Sequence, residues 1–527
     1  MYKYPNVYFE ILLCVIKMSY LYLLTNKFNY IAGLIIFYVS MKTYLKLLAM
    51  FLKSYRLTQS DKIFLGNKQS EVLNLVGIWD IENFNETKIK SKFKEVIENI
   101  PKLNSKLIYF MGNYYWKPLK LDDTRLNRII KTAITAKDYD EAIKIAQKEI
   151  NIPLDITESP FECILIKYTD QQKKVSSNNM ELNSKELSNG CVIFKMDHSL
   201  SDGLGIVTLL MCMSDNFSLD LFPPKFKALM FSENNGDKTN NSIKIEIKHY
   251  FNRFKATLAF NLINLFNLIS IGIYYIIKNA ISNSKNVMLK KDVLSTGKSN
   301  LGKPIEFELD QLKKIAKHLK CTLNDLLITL ISNSVDKYSE IYCKEERSLK
   351  ESLSIFVPIG NTSIATSLKK VNKNLKNNAA GVNTYISVVK DINNGVNTIK
   401  SQIKSIITKK FIADTAVIIV SILFSFFPFN FIKAIGFKAA KKIDMCVSNI
   451  PGPVKKLEIN GCKIKRMLPM SSTGPNKSFI ILFSYNGKIT LSTNFDVSQN
   501  INADDFNVIF KNIVDITEKT ITQASNI

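Results

Sequence analysis

Lys195-Met-Asp-His-Ser-Leu-Ser-Asp-Gly-Leu-Gly205 joins an apolar run at 191–196, read as a strand, to an apolar helix that begins near Leu204. It contains H-x-x-x-D-G, with His198, Asp202 and Gly203 at the defining positions. The 527-residue chain has only 3 histidines, so a chance match is on the order of one in a hundred. A strand-to-helix turn projects a side chain from a rigid scaffold into a cleft, and an imidazole placed there suits a general base near neutral pH. Asp202 reads as a charge that locks the loop through a hydrogen bond, and Gly203 as a residue that permits a tight turn close to the helix start. The bland alternative for His198 is a satisfied ring beside a helix cap formed by Ser201 or Asp202. His249 and His318 lie among lysines in helical stretches and read as surface residues.

On either side of this stretch the chain alternates helices and strands. An apolar run at 72–79 is followed by a helix at 86–98, strands within 106–117 and a helix at 139–148. A polar run at 170–189 reads as a surface loop. The second half repeats the mixture, with a strand at 304–309, helices at 312–319 and 323–337, and strands at 352–358, 383–389, 479–485 and 489–495. Single domains usually hold about 100 to 200 residues, so the expected organisation is two α/β sandwich domains with mixed sheets, at 56–235 and 301–527. A crossover linker at 236–300 connects them, and a hydrophobic helical anchor segment at 1–55 precedes them.

Composition narrows the partners. A net charge of +25 from 71 Lys and Arg against 46 Asp and Glu attracts anions, whether nucleic acid, an anionic leaflet or a phosphorylated ligand. Lysine is spread through the whole chain, as in a solvated surface. The 8 cysteines form no C-x-x-C pair, which implies a reducing, cytosol-facing compartment, and the absence of a Cys/His cluster argues against a structural metal.

The first 53 residues are rich in Leu, Ile, Tyr and Phe, but their longest uncharged run, 28–41, has 14 residues, short of the roughly 20 a spanning helix needs. Glu10 inside the first apolar stretch argues against a cleaved signal. The segment reads as an interfacial pair of helices or a shallow hairpin with snorkelling lysines, or else as an ordinary helical extension. Two further runs, 256–277 with 22 uncharged residues and 415–432 with 18, pass the length test. The first places Asn261, Asn264 and Asn267 at helical spacing and the second carries Pro428, so surface contact is favoured over spanning.

The motif resembles the H-H-x-x-x-D-G signature of the wax ester synthase/diacylglycerol acyltransferase family, within the coenzyme-A-dependent superfamily that includes chloramphenicol acetyltransferase; Asp197 stands here at the first histidine's position. Other blocks are similar to that family in the same order. They are Leu57-Thr-Gln-Ser-Asp61 with Phe64, Pro153-Leu-Asp155 with Pro160-Phe-Glu162, Thr322-Leu-Asn-Asp325, Val447-Ser-Asn-Ile-Pro-Gly-Pro453 with Gly461, and Ser484-Tyr-Asn-Gly487 with Asp496. The resemblance runs from about residue 57 to the C-terminus. It implies two chloramphenicol acetyltransferase-like domains around a shared tunnel, with His198 as the base and Asp202 beside it in the catalytic loop. Asp197, Gly203 and Asn324 would support the site, Asn324 and Asp325 also reading as a plain helix cap.

It further implies transfer of a long acyl chain from acyl-CoA to a fatty alcohol or diacylglycerol. No covalent intermediate, metal or resident cofactor is needed, since acyl-CoA is a co-substrate with a competent thiol leaving group. The expected partners are acyl-CoA, a lipid alcohol and a membrane surface, with no nucleic acid. The expected place is the endoplasmic reticulum or a lipid droplet, with the catalytic domains facing the cytosol. Two alternatives stay open: another acyltransferase of the superfamily, such as a BAHD enzyme (whose D-F-G-W-G motif is absent) or a condensation domain, and a non-catalytic lipid-binding or tethering protein of the same fold.

Overall fold

The structure, a computed structural model, describes residues 30–66, 71–169, 189–221, 286–290, 293–343, 351–360, 367–377, 379–408, 433–434, 438 and 440–525. The first half contains α1 (Tyr30–Phe51), β1 (Tyr55–Arg56), α2 (Gln59–Ile63), β2 (Asn74–Glu82), α3 (Glu86–Asn99), β3 (Ser105–Phe110), β4 (Asn113–Pro118), β5 (Ile130–Ala136), α4 (Tyr139–Glu149), β6 (Phe161–Tyr168), β7 (Gly190–Asp197) and α5 (Gly203–Met213). The second contains β8 (Ser299–Leu301), β9 (Ile305–Glu308), α6 (Leu309–His318), α7 (Leu323–Tyr342), β10 (Ser352–Gly360), β11 (Ala379–Ser387), α8 (Ile392–Thr408), β12 (Met445–Pro451), β13 (Glu458–Ile459), β14 (Cys462–Ser471), β15 (Ser478–Tyr485), β16 (Lys488–Asp496) and α9 (Ala503–Ser525).

Local chemistry accounts for many of these boundaries. Asn85 caps α3 by accepting from the Lys88 amide, and Ile89, Phe93, Val96 and Ile97 form its buried stripe. Thr58 with Asp61, and Thr322 with Asp325, close reciprocal capping boxes on α2 and α7. Asn460-Gly461 and Asn486-Gly487 both place two residues at positive φ, the backbone that a two-residue hairpin turn requires. They set the registers Ile459↔Cys462 and Tyr485↔Lys488.

Two mixed sheets carry the fold. One runs β13-β14-β2-β7-β6-β5 and the other β11-β10-β12-β15-β16-β8, with β9 also on β16. The parallel pairs β5/β6, β10/β12 and β12/β15 sit among antiparallel neighbours. A small sheet of β1, β4 and β3 stands apart. Strands β2 and β7 are covered on both faces, which explains their nearly continuous apolar sequences. Trp79, Val192, Phe194 and Met196 face the core built with α3 and α5, while Val76, Ile78, Cys191 and Ile193 face Ala142, Ile143 and Ala146 of α4.

The chain thus forms an α/β fold with mixed sheets, as expected. Strand β14 falls within the 301–527 stretch, yet it pairs along its length with β2 of the first sheet, from Ser471↔Leu75 to Lys463↔Glu82. The second half therefore completes the first half's sheet. The proposed anchor is described only from residue 30, as the single helix α1. Among the described residues no helix is long and apolar enough to cross a membrane. The apolar runs 256–277 and 415–432, and nearly all of the polar run 170–189, lie outside the described residues.

Candidate active site

Strand β7 delivers the motif. Its last residue, Asp197, donates its amide to Pro160 O at 3.0 Å, and the His198 amide follows onto Leu73 O at 2.9 Å, so two neighbouring segments hold the main chain at the point where the strand ends. Asp202 then caps α5, its Oδ1 accepting from the Gly205 amide at 2.9 Å. His198 consequently stands between a fixed strand end and a fixed helix start.

The ring is held on one face by Phe64, stacked at 3.9 Å between centroids with planes 16° apart. Asn377 Nδ2 donates to the His198 carbonyl at 2.7 Å. Asn377 in turn donates to Asp61 Oδ1 from its amide, at 2.6 Å, and from Nδ2, at 3.0 Å. Asp61 Oδ2 accepts from the Thr58 amide at 2.7 Å, which keeps the carboxylate in the α2 cap. Three stretches far apart in sequence thus meet at one histidine: the 57–64 block, the motif loop and Asn377, two residues before β11.

Nδ1 of His198 is buried with no hydrogen-bond partner of normal geometry. Burial lowers the ring's pKa below its usual value; its own main-chain carbonyl, the Asp202 charge, the Asn377 side chain and Asp61 oppose this without overcoming it. A neutral, partly shielded imidazole is the form able to take a proton. Nearby, Lys102 donates to Leu375 O at 2.6 Å, and burial pushes its ammonium down to about 8 against the attraction of Asp61.

The other expected residues take distinct places. Asp197 is buried and accepts from the Ser199 amide at 2.9 Å and from the Ser199 hydroxyl, so it organises the turn. Burial raises its carboxyl to about 6 against these hydrogen bonds. Its folded-state pKa therefore exceeds the ordinary value of about 3.9, and the folded protein carries a penalty that is complete above about pH 6 and fades as pH falls toward 4. Asp197→Asn is expected to stabilise the fold by on the order of 2 kcal/mol at pH 8, a gap that narrows at lower pH. Urea melts of both proteins at several pH values check this, and a gap independent of pH would refute it.

Gly203 differs from its expected role. It is the first residue of α5 and is not left-handed. A Cβ there would lie 2.7 Å from Ile450 Cδ1 in the Ser-Asn-Ile-Pro-Gly-Pro strand, the tip of a side chain that would have to move aside. At Gly452, just past the same strand, a Cβ would fall 2.3 Å from the main-chain Ser484 O. Asn324, exposed on the first turn of α7, accepts from Asn449 Nδ2, one residue from Ile450. Asn324 thus meets the motif loop indirectly, through β12, while Asp325 does the capping. Asp61, Phe64 and Asn377 are the contacts that sequence reasoning did not assign; Asp61 and Phe64 lay in a block recognised by resemblance, and nothing around Lys376-Asn377 marks the third.

Behind α5, an apolar cavity of about 10 Å³ lies among residues including Trp79, Phe161 and Leu210. It has room for about one water-sized body, and His198 is not among its lining residues, so it is a core packing gap.

The α/β fold with mixed sheets is shared with solved acyltransferases and condensation domains. Residues 377–512 match the family model described as the WS/DGAT C-terminal domain, so the second half carries that domain and the resemblance read from the motifs stands. Among solved structures, a wax ester synthase/diacylglycerol acyltransferase from Marinobacter aquaeolei VT8 aligns over 89% of this chain and 100% of its own, with TM-score 0.53 and 14% identity. A trichothecene 15-O-acetyltransferase from Fusarium sporotrichioides aligns over 87% and 95%, with TM-score 0.52 and 9% identity. The starter condensation domain of rhizomide synthetase, solved with C8-CoA, aligns over 89% and 95%, with TM-score 0.51 and 8% identity. At these identities the likeness is one of fold. No curated protein sequence matches the chain.

Proposed function

We propose that this protein is an acyl-CoA-dependent O-acyltransferase that forms a wax ester or triacylglycerol, with His198 as general base. The observation that carries the reading is the imidazole itself, half-buried, lowered in pKa, stacked on Phe64 and held by Asn377 where the two halves meet. In this reaction Nε2 takes the hydroxyl proton as the alcohol oxygen attacks the thioester carbonyl. The tetrahedral adduct expels the coenzyme A thiolate, and the imidazolium returns the proton to sulfur, leaving an ester and free coenzyme A.

The WS/DGAT domain match and the C8-CoA held by one fold relative support acyl-CoA as donor. The charge of +25 suits the coenzyme's phosphates. Residues 1–55 serve in this reading as an attachment to a membrane surface, at the endoplasmic reticulum or a lipid droplet with the catalytic halves in the cytosol. The exposed Tyr44, Leu47, Met50 and Phe51 of α1 support it.

Purified protein supplied with palmitoyl-CoA and a mixture of hexadecanol and diacylglycerol is expected to release coenzyme A and yield an ester, the acceptor being read from the lipid product. Coenzyme A release without any ester, or no turnover with either acceptor, would refute the proposal.

A further inference from the structure

The hairpin turns at Asn460-Gly461 and Asn486-Gly487 are both Asn-Gly; the β3–β4 hairpin repeats their backbone with Met111-Gly112, again two residues at positive φ. Asparagine is the ordinary first residue of such a turn because its short polar side chain bonds locally, whereas methionine is strained there and gains no hydrogen bond. Met111, at φ 47°, is 43% exposed, and its neighbour Phe110 is 40% exposed. A turn that gives up its favoured residue to hold two adjacent large apolar side chains in water points to a contact surface.

Side chains alternate along the hairpin, so Lys106, Ile108 and Phe110 share one face of the small sheet with their cross-strand partners Lys117, Tyr115 and Asn113. Leu107 and Trp116, on the other face, enter the first half's core. The face of Phe110 is the one α1 covers: Lys117 Nζ donates to Leu52 O just past α1, and burial raises the pKa of the Tyr115 phenol, the nearby Tyr44 of α1 adding to it. Helix α1 leaves Tyr44, Leu47 and Met50 exposed at a spacing of three, a single stripe. Phe110 and that stripe thus lie on the same side of the small sheet. The only acid within residues 30–66 and 105–118 is the buried Asp61, while Lys46, Lys53 and Lys106 are exposed. Apolar side chains flanked by cations, with no exposed carboxylate among them, suit an anionic leaflet.

We propose that Phe110 and Met111, the tip of the β3–β4 hairpin, insert into the headgroup layer of an anionic bilayer as a second contact beside α1. This inference rests on the proposed attachment of residues 1–55 to a membrane surface, which it extends. The tip is tied to the site: Lys62 Nζ donates to Asn113 Oδ1 at 2.9 Å, and Asn113 Nδ2 donates to Met111 O at 3.3 Å. Lys62 belongs to α2 and precedes by two residues Phe64, which stacks on the His198 ring; Ile63 between them is exposed. A docked tip therefore sets His198 beside the leaflet, where a lipid alcohol is met.

The experiment mixes the full chain with vesicles of equal parts phosphatidylcholine and phosphatidylserine and reads binding by co-flotation. Phe110→Thr/Met111→Asn is expected to bind at least about 10-fold more weakly than the parent, since it withdraws two apolar side chains from the interface. Met111→Asn alone is expected to be more stable than the parent in urea, because it restores the favoured turn residue, so weaker binding is not a folding defect. Phosphatidylcholine alone should hold the parent at least about fivefold less well. The chain's 2 tryptophans, Trp79 and Trp116, are both buried, so Phe110→Trp adds an exposed one, whose fluorescence is expected to shift to the blue and to be quenched by brominated acyl chains. Equal flotation of the parent and the double variant, or a Phe110→Trp variant that floats unquenched, would overturn the proposal. So would a self-associated parent that the double variant breaks up without loss of vesicle binding, since the tip would then serve a second copy of the chain. A parent that floats with neither vesicle would sink the attachment reading itself, a result distinct from equal flotation of both proteins.

Discussion

His198→Ala is expected to lower ester formation by at least about a hundredfold, the ordinary contribution of a positioned general base. The ring meets Phe64 on one face and its carbonyl is held independently by Asn377, so its loss removes the proton acceptor while the loop stays anchored by the Leu73 and Asp202 contacts. Substrate binding is expected to change little, which places the effect in kcat. The parent's pH profile gives a second check. Burial dominates the ring's pKa and lowers it, so the neutral, active form persists below the usual imidazole midpoint of about 6.5. The acid limb of kcat/KM should accordingly fall below that value. Equal activity in the alanine variant, or an acid limb well above 6.5, would remove His198 from the mechanism.

Lys477→Met should be the most damaging change to stability. Lys477 Nζ and Asp444 Oδ1 lie 2.6 Å apart, and both side chains are almost wholly buried. Asp444 Oδ2 also receives the Ser354 amide and Asn286 Nδ2, each at 3.0 Å, and the Asp444 carbonyl receives the Ser478 hydroxyl. The pair therefore ties the ends of β12 and β15 and strand β10 to Asn286. Removing the cation alone leaves an uncompensated buried carboxylate, a loss of about 3–5 kcal/mol. The double variant Lys477→Met/Asp444→Asn is expected to recover most of it, because an amide still accepts the Ser354 hydrogen bond without a charge to bury. Urea unfolding of the parent, the single and the double variant decides the matter. A double variant as unstable as the single one would show that packing rather than charge sets the loss.

Much of the architecture was legible because local physics specifies it. The run at 191–196 became β7, the helix read at 86–98 became α3, and the T-x-N-D block opened α7 as a capping box. Each of these depends on periodicity or on contacts three or four residues apart. The pairing of β14 with β2 was not legible: its alternation marks a strand but carries no address for the strand it joins, here nearly 400 residues away. Gly203 shows the same limit. Its presence after Asp202 suggested a turn, while the approach of Ile450 to it is visible only when β12 is in place.

By itself the sequence determined that this is an α/β chain with a histidine at a strand-to-helix turn, since apolar periodicity and helix capping act within a few residues. Only the tertiary structure decided what surrounds that histidine. Asp61, Phe64 and Asn377 reach it from distant stretches. A hydrogen bond between residues hundreds of positions apart leaves no spacing to read, and burial, which lowers the ring's pKa, is a property of the packed whole.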